Sequence, residues 1–145
     1  MSDTKKSAGF SKEEQVAMRN RARELAAEAK ASKNRAAGER AASDAIAKLP
    51  EPDKSLAKKI HEIITKTAPH LWPKTYYGFP AYALNDKIVC FFQYASKFKT
   101  RYSTLAFNDT AKLDDGNMWP VIFAVTKITA TEEARIVELL KKALN

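Results

Sequence analysis

Aromatic side chains are confined to one part of the chain, and this distribution limits where a folded core can form. Of the 14 Phe, Trp and Tyr residues, one is Phe10 and the other 13 lie between Trp72 and Phe123. Aromatic rings supply much of the apolar area that a core buries. Residues 1–48 hold 13 Ala but only four of the 30 Ile, Leu, Val and Phe residues. We therefore divide the chain into a polar, Ala- and Lys-rich helical extension over residues 1–48 and a compact domain over residues 49–145.

The extension carries helix signals of its own. Ser11 followed three residues later by Glu14 is typical of a capping box, and Phe10 stands where a hydrophobic staple residue would. A narrow apolar stripe at helical spacing then follows, and Gly38 is expected to interrupt the helix. Three interpretations stay open for this segment: a solvated helix docked weakly on the domain, an arm that binds a partner or nucleic acid, or disorder.

Two further helices are predicted on either side of the aromatic region. Asp53 is expected to cap a helix that ends near Thr67. Thr129 with Glu132 predicts a second capping box, which opens a helix through Leu144. The side chains expected to face the core are Leu56, Ile60, Ile63, Ile64 and Thr67 in the first helix and Ile136, Leu140, Ala143 and Leu144 in the second.

The region between these helices reads as a series of short strands. The predicted strands cover residues 74–79, 81–84, 87–93, 97–102 and 121–128, with a bulge or turn expected near Ser103 and Thr104. Asn85 and Asp86 predict a hairpin turn. Short connections favour antiparallel pairing. The expected fold is therefore α+β, an antiparallel sheet with helices packed on one face and the other face available.

Several function classes find no support in the sequence. No Walker A loop, G-x-S-x-G, H-E-x-x-H or G-x-G-x-x-G motif occurs, so we expect a protein that is not an enzyme. The one cysteine, Cys90, stands in an apolar run and is expected to be a small buried side chain. The longest apolar runs have five residues, and no secretory leader opens the chain. These features predict a cytoplasmic protein that has no membrane span.

A basic segment next to the aromatic strands is the strongest candidate for ligand binding. In an extended strand, Lys97, Lys99 and Arg101 would project from one face. Cations beside rings suit an anionic or nucleotide-like ligand. The alternative is a lysine-guarded edge strand that discourages aggregation. The candidate ligand-binding residues are Tyr76, Tyr77, Tyr82, Lys97, Lys99, Arg101, Tyr102 and Trp119.

Three carboxylates lie in the polar connection that precedes the last predicted strand. Asp109, Asp114 and Asp115 could supply oxygen ligands to a hard cation such as Fe²⁺ or Mg²⁺. The alternative is an ordinary solvated turn. We therefore treat these three residues as candidate metal ligands.

Several ordered motifs resemble one family. The segment Pro73 to Tyr82 contains Y-G-F-P-A-Y and resembles the Y-G-x-P-A-Y signature of the YdhG-like domain family. The later runs 89–93, 97–99, 113–116 and 118–120 are similar to the rest of that family's pattern, in the same order. The resemblance covers about residues 45–145, and the start of the extension resembles one that some members carry.

The resemblance implies an α+β fold and, from one member, a frataxin-like intracellular iron chaperone. Iron would then be the cargo, and iron–sulfur or haem assembly proteins would be the partners. The residues themselves leave two alternatives open. One is a module that binds a small anionic ligand on a basic and aromatic sheet face. The other is weak nucleic-acid binding by the extension, since residues 1–59 carry a net charge of +5 out of +8.

Overall fold

A computed structural model describes residues 9–145, without the side chains of residues 30–33. Within that range the chain forms four α-helices and five strands. The helices are α1 (Lys12–Lys33), α2 (Arg35–Ala47), α3 (Asp53–Thr67) and α4 (Ala130–Ala143). The strands are β1 (Trp72–Tyr76), β2 (Phe79–Leu84), β3 (Lys87–Gln93), β4 (Ser103–Phe107) and β5 (Ile122–Val125). None of the described helices combines the length and the apolar character needed to cross a membrane.

The five strands form one antiparallel sheet in which spatial order follows chain order, from β1 to β5. Short connections produce this arrangement, because an antiparallel neighbour can be reached by a tight turn. The hairpin between β2 and β3 turns at Asn85 and Asp86, both at positive φ (51° and 67°). The α+β class and the predicted hairpin are confirmed.

The core lies between the sheet and the helices α3 and α4. Ile60 and Ile64 of α3 and Leu140 of α4 are fully buried in one cluster with Phe92 and Leu105 of the sheet. Ile60 and Ile64 are about one helical turn apart, so both lie on the inner stripe of α3. The predicted capping box of Thr129 and Glu132 at the start of α4 is also confirmed.

Helix α2 belongs to this packed structure. Gly38, Ala42 and Ile46 are buried at intervals of four residues, and α2 packs against β1. The prediction that Gly38 interrupts a helix is wrong. The break falls at Asn34, whose side chain accepts a hydrogen bond from Ala37 N at 3.2 Å.

Asp53 begins α3 without capping it. Its carboxylate is buried and accepts a hydrogen bond from Ser96 N at 3.0 Å, while the N-cap residue is Pro52, which makes no side-chain cap bond. The predicted cap is therefore wrong. Asp53 instead ties the start of α3 to the connection between β3 and β4.

That connection corrects the predicted strand over residues 97–102. Ala95–Lys97 forms a single 3-10 turn, Thr100 N donates to Ala95 O at 3.1 Å, and Lys99 has a positive φ of 53°. A closed turn cannot present alternate side chains on one face, so the basic row does not exist. β4 starts only at Ser103.

The bounds of several other predicted strands need adjustment. β1 ends at Tyr76, because Tyr77 and Gly78 turn the chain at positive φ (52° and 81°). β2 therefore includes Phe79 and continues without the expected gap. The bulge or turn expected near Ser103 and Thr104 corresponds to the turn that ends just before β4. A separate register shift lies between Tyr82 and Ala83, where β2 pairs with β3. β5 covers four residues, fewer than predicted.

A hydrogen-bonded pair joins α3 to the sheet inside the core. The hydroxyl of buried Tyr82 lies 2.8 Å from His61 Nδ1. Burial raises the pKa of Tyr82 well above its usual value, so the hydroxyl keeps its proton. Burial also lowers the pKa of His61, an effect that Glu39 and Glu62 offset only in part. The hydrogen bond therefore joins a protonated hydroxyl to a neutral imidazole, and the tautomer of His61 determines which of the two groups donates.

Replacing Ile46 with Ala tests whether α2 belongs to the cooperative fold. We expect Ile46→Ala to lower the free energy of unfolding by about 2 to 5 kcal/mol, because it leaves a cavity among buried neighbours. Urea denaturation measures the change. The control Val16→Ala removes an exposed side chain of α1 and should change the free energy by at most about 0.5 kcal/mol. Equal effects would show that α2 is only weakly docked.

Stability should fall as the pH drops from about 7.5 to about 5, in part because of His61. The unfolded chain takes up a proton near the ordinary imidazole pKa of 6.5, whereas the folded chain resists protonation, so acid favours unfolding. His61→Gln should flatten the pH dependence of the urea midpoint, and His70→Gln, at an exposed site, should leave it unchanged. An equal pH dependence in wild type and His61→Gln would contradict this assignment.

Candidate functional site

The sheet has a second face, turned away from α3 and α4. Tyr82 faces α3 through His61, so its neighbour Ala81 points to the opposite side. In register with Ala81 stand Lys74, Phe91, Ala106 and Ile122, one from each of the other strands. The term open face is used here for the surface that this row forms together with the residues two positions before and after its members on each strand.

Along β1 the open face alternates rings with a cation. Trp72, Lys74 and Tyr76 share one parity, and successive members are about 7 Å apart in an extended strand. Trp72 is exposed and Tyr76 is half-buried. In this β1 strip of Trp72, Lys74 and Tyr76, a lysine thus stands between two aromatic residues along one face of the strand.

Lys74 is an unusual element of the strip because a lysine side chain is rarely buried. Its side chain is only 9% exposed, and Nζ lies 3.5 Å from Oδ1 of Asp86, whose own side chain is 63% exposed. Removing an ammonium from water costs free energy, and the contact with the solvated carboxylate of Asp86 contributes to offsetting that cost. The anionic group of a ligand that reached Lys74 Nζ would also meet favourable electrostatics there.

A cavity of about 330 Å³ opens beside Lys74. It lies between the start of β1 and the hairpin that joins β2 to β3. Its lining supplies an indole face, an ammonium, a carboxylate and an imidazole. The lining residues are His70, Trp72, Lys74, Ala83, Leu84, Asn85 and Asp86.

The other end of the strip joins a cluster of rings. Tyr76 lies 5.2 Å from Phe91 between ring centroids, and Phe79 lies 6.2 Å from Phe91 and 6.1 Å from Phe98. Phe98 is 57% exposed. Lys97 Nζ lies 4.5 Å from the Phe79 centroid and donates to the carbonyl of Tyr77. Cations and stacked rings thus continue beyond β1.

Helix α1 contacts the turn at this end of the strip. The guanidinium of Arg21 lies 3.7 Å from the ring centroid of Tyr77. Arg21 also forms ion pairs with Glu24 at 3.4 Å and Glu28 at 3.1 Å. A cation held over an aromatic face is attracted to it. These contacts place part of the extension beside the open face.

The structure brings together only some of the candidate ligand-binding residues. Tyr76, Tyr77 and Lys97 lie together at the turn between β1 and β2. Tyr82 is buried on the helix side, so it is not available to a ligand on the open face.

The other candidates lie elsewhere. Lys99, Arg101 and Tyr102 occupy the exposed turn before β4, where the Arg101 guanidinium lies 5.1 Å from the Tyr102 centroid. Trp119 is half-buried and packs against the core.

The three candidate metal ligands do not form a site. Asp109, Asp114 and Asp115 are exposed, while Ala111 and Leu113 between them are buried, so the segment spreads along the surface of the core. Across the described part of the chain, no group of three or more His, Cys, Asp or Glu side chains could hold a metal ion.

Sequence reasoning missed the residues that shape the cavity. Trp72, Lys74 and Asp86 were not candidates, because the first strand was expected to begin at Lys74. Starting that strand two residues earlier would have shown the ring–cation–ring alternation of W-P-K-T-Y. The burial of Lys74 depends on cross-strand neighbours, for which the sequence carries no local signal.

Comparison of the chain with protein-family models, with curated proteins and with solved structures returned no match.

Proposed function

We propose that this protein binds a small anionic molecule that carries a flat ring, and that the open face along β1 is its binding site. The observation that carries the proposal is Lys74, a nearly buried cation that lines a cavity together with Trp72 and stands between Trp72 and Tyr76 along one face of β1. In this binding mode the anionic group of the ligand contacts Lys74 Nζ. Its ring packs against Trp72 or Tyr76.

The size of the cavity limits the ligand. Small-molecule pockets usually measure about 300–1,000 Å³, and this one, at about 330 Å³, is at the low end. A single or fused ring with one carboxylate or phosphate fits that volume. A larger ligand would extend over Tyr76 toward the exposed ring of Phe98.

The charge of the whole chain supports an anionic ligand. The formal net charge is +8 at pH 7. A positive field raises the local concentration of anions and speeds their association, while it repels cations such as Fe²⁺. The iron-chaperone role implied by the resemblance has no cluster of ligands behind it among the described residues. Anion binding is therefore the function we put forward.

The resemblance to the YdhG-like family stays a prediction, and it is compatible with this proposal. The motif Tyr77-Gly78-Phe79-Pro80-Ala81-Tyr82 spans the turn after β1 and most of β2. In this chain the turn leads directly from Tyr76 of the strip to Phe79 of the ring cluster. The segment that carries the resemblance thus borders the proposed site.

Isothermal titration calorimetry with matched ligand pairs tests the proposal. Indole-3-acetate and adenosine monophosphate should bind, whereas their neutral counterparts indole-3-acetamide and adenosine should bind at least about tenfold more weakly, because they lack the anionic group that Lys74 would contact. Equal binding within each pair, or no binding of either anion at millimolar concentration, would overturn the proposal.

Replacing Lys74 with Met separates binding from stability. Met keeps the apolar stem and removes the charge, and the urea midpoint, measured on the same variant, shows whether a loss of binding is only a loss of fold. Affinity for the anion that binds should fall about ten- to hundredfold, the usual effect of losing a charge-assisted hydrogen bond. Lys87→Met, at an exposed site at the start of β3, is the matched control and should bind as wild type does. Unchanged binding by Lys74→Met would place the site elsewhere.

A further inference from the structure

The outer edge of β5 lies next to a groove. β5 pairs with β4 on one side and is the last strand of the sheet. A cavity of about 660 Å³ runs between β5 and α4, and residues of both faces of β5 line it. The groove therefore follows the strand edge itself.

The backbone register determines which groups β5 presents at this edge. Phe107 N donates to Val121 O at 2.8 Å, so residues 107 and 121 form a hydrogen-bonded pair. Such pairs alternate along antiparallel strands, which makes Ile122 and Ala124 the non-bonded positions opposite Ala106 and Thr104. The N–H and C=O groups of Ile122 and Ala124 thus point to the outer edge, where a further strand could pair with them.

The side chains of the groove suit an apolar neighbour. On the helix side, Phe123 of β5 and Ile136 and Leu139 of α4 line it, and a side chain pointing inward from a sixth strand would contact them. On the open face, Ile122 is 61% exposed. A short edge strand next to a lysine is often a device against aggregation. Protection against aggregation does not require an apolar groove beside the strand, so the groove indicates a binding role for this edge.

The charged side chains of the groove indicate the charge of the partner. Lys127 and Arg135 line it, and the Arg135 guanidinium lies 5.6 Å from the ring centroid of Phe123, close to the strand edge. The carboxylate of Glu132 is engaged at the start of α4, where it accepts from Thr129 N at 2.7 Å. A second copy of this chain would bring the same two cations and another +8 of net charge. An acidic partner is favoured instead.

We propose that the edge of β5 is a docking site for an extended acidic segment of another protein, which adds to the sheet as a sixth strand. Its backbone pairs with Ile122 and Ala124. Alternate side chains fill the apolar groove, and its carboxylates contact Lys127 and Arg135. This mode of recognition combines main-chain hydrogen bonds with pockets for alternate residues. The proposal is independent of ligand binding on β1.

Fluorescence anisotropy with a labelled peptide of alternating valine and glutamate tests the site on the full chain. The acidic peptide should bind, whereas a peptide with lysine in place of glutamate should not. The acidic peptide methylated on alternate backbone amides should also lose binding, since it cannot complete the strand pairing. No binding of the acidic peptide, or equal binding of all three, would overturn the proposal.

Two variants localise the binding to this edge. Ala124→Pro removes an outward N–H without removing a bond to β4, and it should lower peptide affinity about tenfold. If this variant fails to fold, Lys127→Glu with Arg135→Glu carries the test and should lower affinity by at least the same factor. Lys141→Glu with Lys142→Glu on α4, outside the groove lining, is the charge-matched control. Equal loss in both double variants would overturn the assignment.

Sedimentation analysis separates the proposed partner from a second copy. The full chain should remain a monomer at the concentrations used for peptide binding. A dimer that dissociates in the Lys127→Glu and Arg135→Glu variant or in Ala124→Pro would show that a second copy occupies the edge, and the acidic-partner proposal would be wrong.

Discussion

The packing of α3 and α4 on one side of the sheet determines which surfaces are left for function. Ile60 and Ile64 of α3 and Leu140 of α4 bury the rings of one sheet face. Side chains alternate between the two faces along a strand, so the residues before and after each residue buried under the helices point to the open face. The position of Tyr82 under α3 thus places Ala81 and, through it, Lys74 on the other side. The packing of the core thus determines which residues form the open face.

The two helices that flank the strands were predictable in position because their main signals are local. The isoleucine spacing of α3 and the capping box of α4 act within a few residues, and both appear as expected. The strand expected over residues 97–102 failed for a nonlocal reason. Its alternation was present, but Asp53, distant in sequence, holds Ser96 in a turn. Tertiary hydrogen bonds of this kind override local propensity.

The candidate site was less predictable than the fold. Sequence reasoning expected cations beside aromatic rings on a free sheet face, and of the residues that it named, Tyr76 and Lys97 lie near each other at the turn between β1 and β2. It grouped Lys99 and Arg101 with them because these residues alternate if the segment is extended, whereas the chain turns there. No neighbouring cation marks Lys74 in the sequence. Its surroundings form only when β1 pairs with β2 and the hairpin brings Asp86 to its side chain.

The order of the strands has a consequence for how the protein forms. Each strand pairs with the one synthesised just before it, so every pairing closes only a short loop and loses little chain entropy. The sheet can therefore grow strand by strand during translation. Helix α4 is made after all five strands, and until Leu140 arrives the inner side of β4 and β5 stays uncovered. A nascent chain that has not yet reached α4 would present that apolar surface to chaperones.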